Sequence, residues 1–191
     1  MNLRFRKLSS IGLLALLFAA STAGARTPSD PAGLAAEASV TDAQVLYVGF
    51  TPPVGVAHAL VKYLDLAQSE ILVQAYGFTH NAIAQALVRA HQRGVKVQVL
   101  LDEKSESTNR YVISLFRSTG VPMRADGSHA IAHNKVMVID QQVVVTGSFN
   151  FTNSAETRNA ENLLILRSPA LAKSYRENWL VHSQHARTLA P

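Results

Sequence analysis

Apolar positions along the chain fall into two textures. Val136-Met137-Val138-Ile139, Val143-Val144-Val145-Thr146 and Leu163-Leu164-Ile165-Leu166 are nearly unbroken apolar runs. Runs this short and this continuous read as strands buried on both faces. Val45 to Phe50, Glu70 to Phe78 and Val95 to Leu101 also read as strands. Between them lie longer, mixed stretches that read as helices. One runs from Val54 to Gln68 after Pro52-Pro53, and one from Asn81 to Arg93, closed by Gly94. Asn109 to Arg117 forms a third, ending near Gly120, and Pro169 to Gln184 a last one carrying Trp179. Strands alternating with helices predict the α/β class, a mixed β-sheet flanked by helices. No internal repeat or low-complexity tract divides the chain, so residues 42–191 are expected to form one domain.

The start of the chain has a different texture. Met1 to Lys7 carries Arg4, Arg6 and Lys7 without an acid, and Leu8 to Ala20 is apolar apart from two serines. Ala23-Gly24-Ala25 offers small residues where a signal peptidase reads. Residues 1–25 are therefore expected to be a secretory signal peptide cleaved after Ala25, giving a periplasmic or secreted protein. The apolar stretch is short for an uncleaved membrane anchor. Residues 26–41 follow as a flexible lead-in. The leader also changes the charge. Of 18 basic and 13 acidic residues, it removes three basic residues and no acid. The rest carries a net charge of +2, well below the +5 of the whole chain. Cysteine is absent, so no disulfide braces the domain.

The densest chemistry lies in one segment. His133-Asn134-Lys135, Asp140 and Gly147-Ser148-Phe149-Asn150 spell H-x-K-x4-D-x6-G-S-x-N. If the strand begins near His133, residues two apart share a face. The imidazole and the ammonium then project together, roughly 7 Å apart along the strand. Asp140-Gln141-Gln142 reads as a tight turn that returns the chain and sets Gly147-Ser148-Phe149-Asn150 beside the His/Lys pair. Gly147 allows close backbone approach. Ser148 and Asn150 can donate to phosphate oxygens while Lys135 holds a non-bridging oxygen. A nucleophile, a fixed cation and positioned donors suit a phosphodiester.

The segment resembles the signature of the phospholipase D superfamily, whose members transfer phosphodiesters through a phosphohistidine. The resemblance implies a phospholipase D-like fold, His133 as nucleophile and no metal or other cofactor. It also implies that Glu161, ahead of the Leu163 run, accepts a hydrogen bond from the catalytic histidine. Asp140 is implied to hold local backbone, here as a cap on the turn. The family brings two such motifs to one site, one histidine attacking and the other protonating the leaving oxygen. This chain has one copy: His58, His80, His91, His129, His182 and His185 all lack a lysine two residues on. A homodimer would supply the second His133 across its two-fold axis, as in the short single-motif bacterial nucleases of the superfamily.

Competing motifs are weak. His129-Ala130-Ile131-Ala132-His133 has the spacing of a zinc-binding helix, but Ala130 stands where a catalytic glutamate belongs. His129 is read as a loop residue or a lining of the substrate groove. There is no phosphate-binding glycine loop. Three functions stay open. The first is a non-specific endonuclease acting on DNA or RNA, with Lys104, Arg110, Arg124 and Arg158 as candidate backbone contacts. The second is a phospholipase D hydrolysing phosphatidyl lipids. The third is a non-catalytic nucleic-acid-binding module, which would have no use for a paired nucleophile and cation.

Overall fold

The computed structural model describes residues 43–189. The expected leader at 1–25 and the expected lead-in at 26–41 lie outside the described residues. The element order is β1 (Gln44–Thr51), α1 (Val56–Leu66), β2 (Glu70–Ala75), α2 (Asn81–Gln92) and β3 (Lys96–Asp102). A short 3-10 turn (Glu103–Ser105), α3 (Arg110–Thr119), β4 (Met123–Asp126), β5 (Lys135–Ile139) and β6 (Val143–Gly147) follow. The chain finishes with α4 (Asn153–Thr157), β7 (Glu161–Arg167), α5 (Pro169–His185) and β8 (Arg187–Leu189).

Among the described residues, eight strands form one mixed sheet in the order β1-β7-β6-β5-β2-β3-β4-β8. β2, β3 and β4 are parallel to one another, and every other pairing is antiparallel. The strand runs alternate between two cores. Ile71, Val73, Val97, Val99, Met137, Val145, Leu163 and Ile165 pack with residues of α1, α2 and α3. Leu72, Leu100, Val136, Val138 and Val144 pack with Ala172 and Trp179 of α5. Both faces of the central strands are thus covered, which is why their apolar runs are unbroken. Among the described residues no helix is long and apolar enough to cross a membrane.

The expected α/β class, with a mixed sheet and flanking helices, is what forms. Boundaries shift where side chains intervene. α1 starts at Val56 instead of Val54, because the Glu156 carboxylate accepts the Gly55 and Ala57 N–H groups at 2.5 and 2.9 Å and caps the helix there. β2 stops at Ala75 instead of Phe78. Past that point Asn109, fully buried, accepts the Phe78 N–H at 2.7 Å and donates to the Tyr76 carbonyl at 2.8 Å. β5 begins at Lys135, which leaves His133 in the loop ahead of the strand. β4, β8 and α4 have no counterpart in the pattern reading. β4 is only Met123-Arg124-Ala125-Asp126 and is held by its neighbours β3 and β8.

Candidate active site

Strand direction gathers the motif at one edge of the sheet. Lys135 opens β5 and pairs with Ala75 at the end of β2, while Gly147 closes β6 and faces Leu163 near the start of β7. By alternation Lys135, Gly147 and Glu161 extend the rows that end in Met137, Val145 and Leu163, all on the α1–α3 face. This edge is also where parallel β2 and β3 end, the position at which open α/β sheets bind ligands.

Turn chemistry fixes the delivery. Asp140 and Gln141 take φ of 52° and 56°, a two-residue turn of the type that matches strand twist. The Asp140 carboxylate does not face the site. It accepts the N–H groups of Gln68, Ser69 and Glu70 and the Ser69 hydroxyl, at 2.7 to 3.0 Å. Partial burial raises this carboxyl, but those bonds outweigh it and hold it below the ordinary carboxylate range. Asp140 therefore stitches the β5–β6 turn to the start of β2, a backbone-holding role. At the other end of β6, Gly147 has φ 152°, and a Cβ there would lie 2.3 Å from the Asn162 carbonyl oxygen. The chain passes so close that no side chain fits.

His133 is exposed, and its ring meets Tyr76 edge-on with centroids 4.7 Å apart. Lys135 is only 8% exposed. Its Nζ donates to the His133 carbonyl at 2.6 Å and lies 5.4 Å from the centre of the Tyr76 ring. Tyr76 thus abuts both motif side chains. Burial pulls the Lys135 pKa below the ordinary lysine value, and the Glu161 charge opposes that only in part.

Glu161 departs from the expectation. Its carboxylate accepts from the Ser148 hydroxyl at 2.6 Å and from Asn159 Nδ2 at 3.0 Å, and the structure shows no hydrogen bond to it from His133. The reason is placement: Glu161 opens β7 beside the Gly147–Ser148 turn, whereas His133 sits ahead of β5 against Tyr76. Ser148 is also fully engaged. Its hydroxyl accepts the Asn162 N–H at 3.0 Å, and its own N–H turns to the Asn162 carbonyl at 3.1 Å. A phosphate can recruit that hydroxyl only by displacing Glu161. Asn150 differs, because its Oδ1 is buried with no hydrogen-bond partner. Such a group is costly unless something fills the position.

The candidate backbone cations are scattered. Lys104 donates to the Ala130 carbonyl at 2.6 Å, and Arg124 to the Ser183 carbonyl at 2.7 Å. Arg110 and Arg158 are exposed.

Residues 60–180 match the family described as Cardiolipin synthase, PLD-like domain. The chain belongs to the phospholipase D superfamily. It carries the single-motif form of the superfamily signature. It is 42% identical over 131 residues to a protein named Phospholipase D from Rickettsia felis, covering 69% of this chain and 66% of that one. It is 31% identical over 120 residues to the Mitochondrial cardiolipin hydrolase of Mus musculus, covering 63% and 54%. This superfamily chain thus spans just under two thirds of the Rickettsia relative and about half of the mouse one. Among solved structures it is similar to Nuc from Salmonella typhimurium, described as a phospholipase D family member. Identity there is 34% and the TM-score 0.75, covering 78% of this chain and all of that one.

Pattern reading missed the residues that hold this superfamily site from outside the motif. They are Tyr76, Asn109 and Asp102, whose Oδ1 accepts the Ala132 N–H at 2.8 Å just ahead of His133. Asp102 and Asn109 are 1% and 0% exposed. Their signal in the sequence is faint: a polar residue at the end of an apolar strand, and another at a helix start.

Proposed function

We propose that this chain is a phosphodiesterase that cleaves nucleic-acid backbones, DNA or RNA, as a homodimer and without a catalytic metal. The observation that carries the phosphodiesterase reading is the buried Lys135 held beside the exposed His133. A cation desolvated next to a reachable imidazole is placed to offset the charge that develops on phosphoryl oxygens. In the proposed reaction a ring nitrogen of His133 attacks phosphorus and the P–O bond to the leaving group breaks. His133 of the partner subunit protonates the departing oxygen. Water, losing its proton to that same second imidazole, then cleaves the P–N bond and frees His133. Lys135 steadies a non-bridging oxygen, the Asn150 Nδ2 amide donates to the phosphate, and Glu161 orients Ser148 and steadies the charged Lys135. Exposed apolar Val48 and Phe50 on β1, opposite Leu164 and Asn162 of β7, support a second copy of the chain docking near the site.

The site's shape favours a polymer over a lipid. Ser148 and Asn159 lie exposed around it. Two cavities, of about 300 and about 310 Å³, share Gln98 and Pro122 in their linings. They lie at the start of β3, the opposite end of the sheet. The names of the Rickettsia and mouse relatives favour a second reading, hydrolysis of phosphatidyl lipids. One experiment separates the two: the purified protein is given plasmid DNA and, separately, phosphatidylcholine vesicles, both in excess chelator. Nicking of the plasmid with untouched vesicles is expected. Turnover of lipid alone would overturn the nuclease reading. Loss of all activity with Tm unchanged, restored by one divalent ion, would overturn the metal-free mechanism.

A further inference from the structure

A second cluster of reactive side chains lies on the same edge of the sheet, outside the His133 site. Asp126 closes β4, His129 follows in the loop, and His182 and His185 occupy the last turn of α5. One ligand atom from each of the four lies within 4.8 Å of all the others. His182 Nδ1 is 2.6 Å from Asp126 Oδ2, His185 Nε2 is 3.1 Å from Oδ1, and His129 Nε2 is 4.0 Å from Oδ2. The three rings also face one another, with centroids 4.9 to 5.5 Å apart.

We propose that Asp126, His129, His182 and His185 form a four-coordinate site for a divalent transition-metal ion, zinc by ligand type, that clamps the loop bearing His133 to the end of α5.

The donor set is one that zinc takes, with imidazole nitrogen and carboxylate oxygen bonded at roughly 2.0 to 2.2 Å. Tetrahedral donors at that range lie on the order of 3.3 Å apart, so the observed separations need shifts of only about an ångström. The arrangement is also hard to explain as ordinary surface polarity. One carboxylate neutralises one imidazolium, yet three imidazoles converge on it. Asp126 is 2% exposed, and the contacts around it are already in place. Ser128 donates its N–H to Oδ1 at 3.1 Å, while the Arg124 guanidinium fixes the Ser183 carbonyl between the two helical histidines. Such outer contacts orient ligands before an ion arrives.

Position gives the consequence. Asp126 lies three strands from Lys135 in the order β5-β2-β3-β4, roughly 14 Å by strand spacing. An ion there is too far to touch a phosphate on His133. Instead it fixes the loop whose far end is His133, four residues after His129. Its role is positional, and binding can be read without any substrate, so this inference stands or falls apart from the proposed function.

The test uses the full purified chain. Elemental analysis after dialysis against trace zinc is expected to give one ion per chain. Zinc at about a hundred times its dissociation constant should raise Tm by roughly 5 to 10 °C over the chelated protein. His129 and His185 are exposed, so His129→Ala and His185→Ala should fold. Each should lose most of that zinc-dependent shift, while His58→Ala keeps it. Cobalt(II) should give the visible absorption of a tetrahedral ion, absent in His185→Ala. If zinc leaves the wild-type Tm unchanged, or raises it equally in His129→Ala and His185→Ala, the site does not exist.

Discussion

The two halves of the sheet divide the work differently. In the antiparallel half, consecutive hairpins carry the motif residues: Lys135 on β5, Gly147 and Ser148 at and just after the end of β6, Glu161 on β7. In the parallel half no group takes part in the proposed reaction, yet contacts to the His133 region come from there. Tyr76 packs against its ring, Asn109 fixes Tyr76 and Phe78, and Asp102 holds Ala132. Chemistry is placed by local register; aim is placed by bonds between distant segments. Lesions in the two halves should therefore separate.

The largest effect is expected in the antiparallel half. His133→Ala should lower turnover by about 10⁴-fold or more with Tm unchanged, since no other group replaces a phosphoryl-accepting imidazole. Lys135→Ala should cost about 10² to 10³-fold. Phosphate trapped covalently on another residue, or near wild-type turnover of the lysine variant, would break the assignment. Mixing wild-type and His133→Ala chains sharpens it. Activity should follow the square of the wild-type fraction, because a mixed dimer has a nucleophile or a general acid but not both. A simple proportional decline would mean that each chain carries a complete site.

In the parallel half, Asn109→Ala strands the buried Phe78 N–H and the partly buried Tyr76 carbonyl. A loss of about 2 to 4 kcal/mol in unfolding free energy is expected, with a higher KM as Tyr76 loosens; an unchanged denaturation midpoint would sink that role.

Asp140→Asn should cost about 1 to 3 kcal/mol at neutral pH. The folded-state pKa of Asp140 lies below its unfolded value. Its contribution is complete above the unfolded pKa, roughly 4, and is lost as pH falls through the folded value. Melting curves of wild type and variant should converge in acid, and a gap independent of pH would refute the charged role. The smallest effect concerns Lys135, whose pKa burial lowers. The alkaline limb of the pH–rate profile should begin below the ordinary lysine range, and Lys135→Arg should move it upward.

The legible part of the molecule was the part written contiguously. The runs at Val136, Val143 and Leu163 betray strands covered on both faces, and the motif between them is a single stretch of chain. Glu161 was legible as a site residue through the family resemblance, but its partner was not: the choice between His133 and Ser148 depends on how β6 and β7 register. β4 was invisible because Met123-Arg124-Ala125-Asp126 has no strand texture of its own. The cluster around Asp126 was invisible for a related reason. His129 reads in the sequence as a loop or groove residue and as half of a failed helical spacing with His133, and His182 and His185 stand more than fifty residues away. Topology alone brings them together.

β1 pairs Gln44 through Thr51 with Arg167 back to Glu161. The first strand of the domain to be synthesised therefore bonds to nearly the last. At translation rates of roughly 5 to 20 residues per second, β1 waits several seconds for its neighbour. During that interval Val45, Val48 and Phe50 form an unpaired apolar ribbon, the kind of segment that recruits strangers. A nascent chain stalled before residue 161 should thus be a strong client of holding chaperones, and release of β7 should end that dependence.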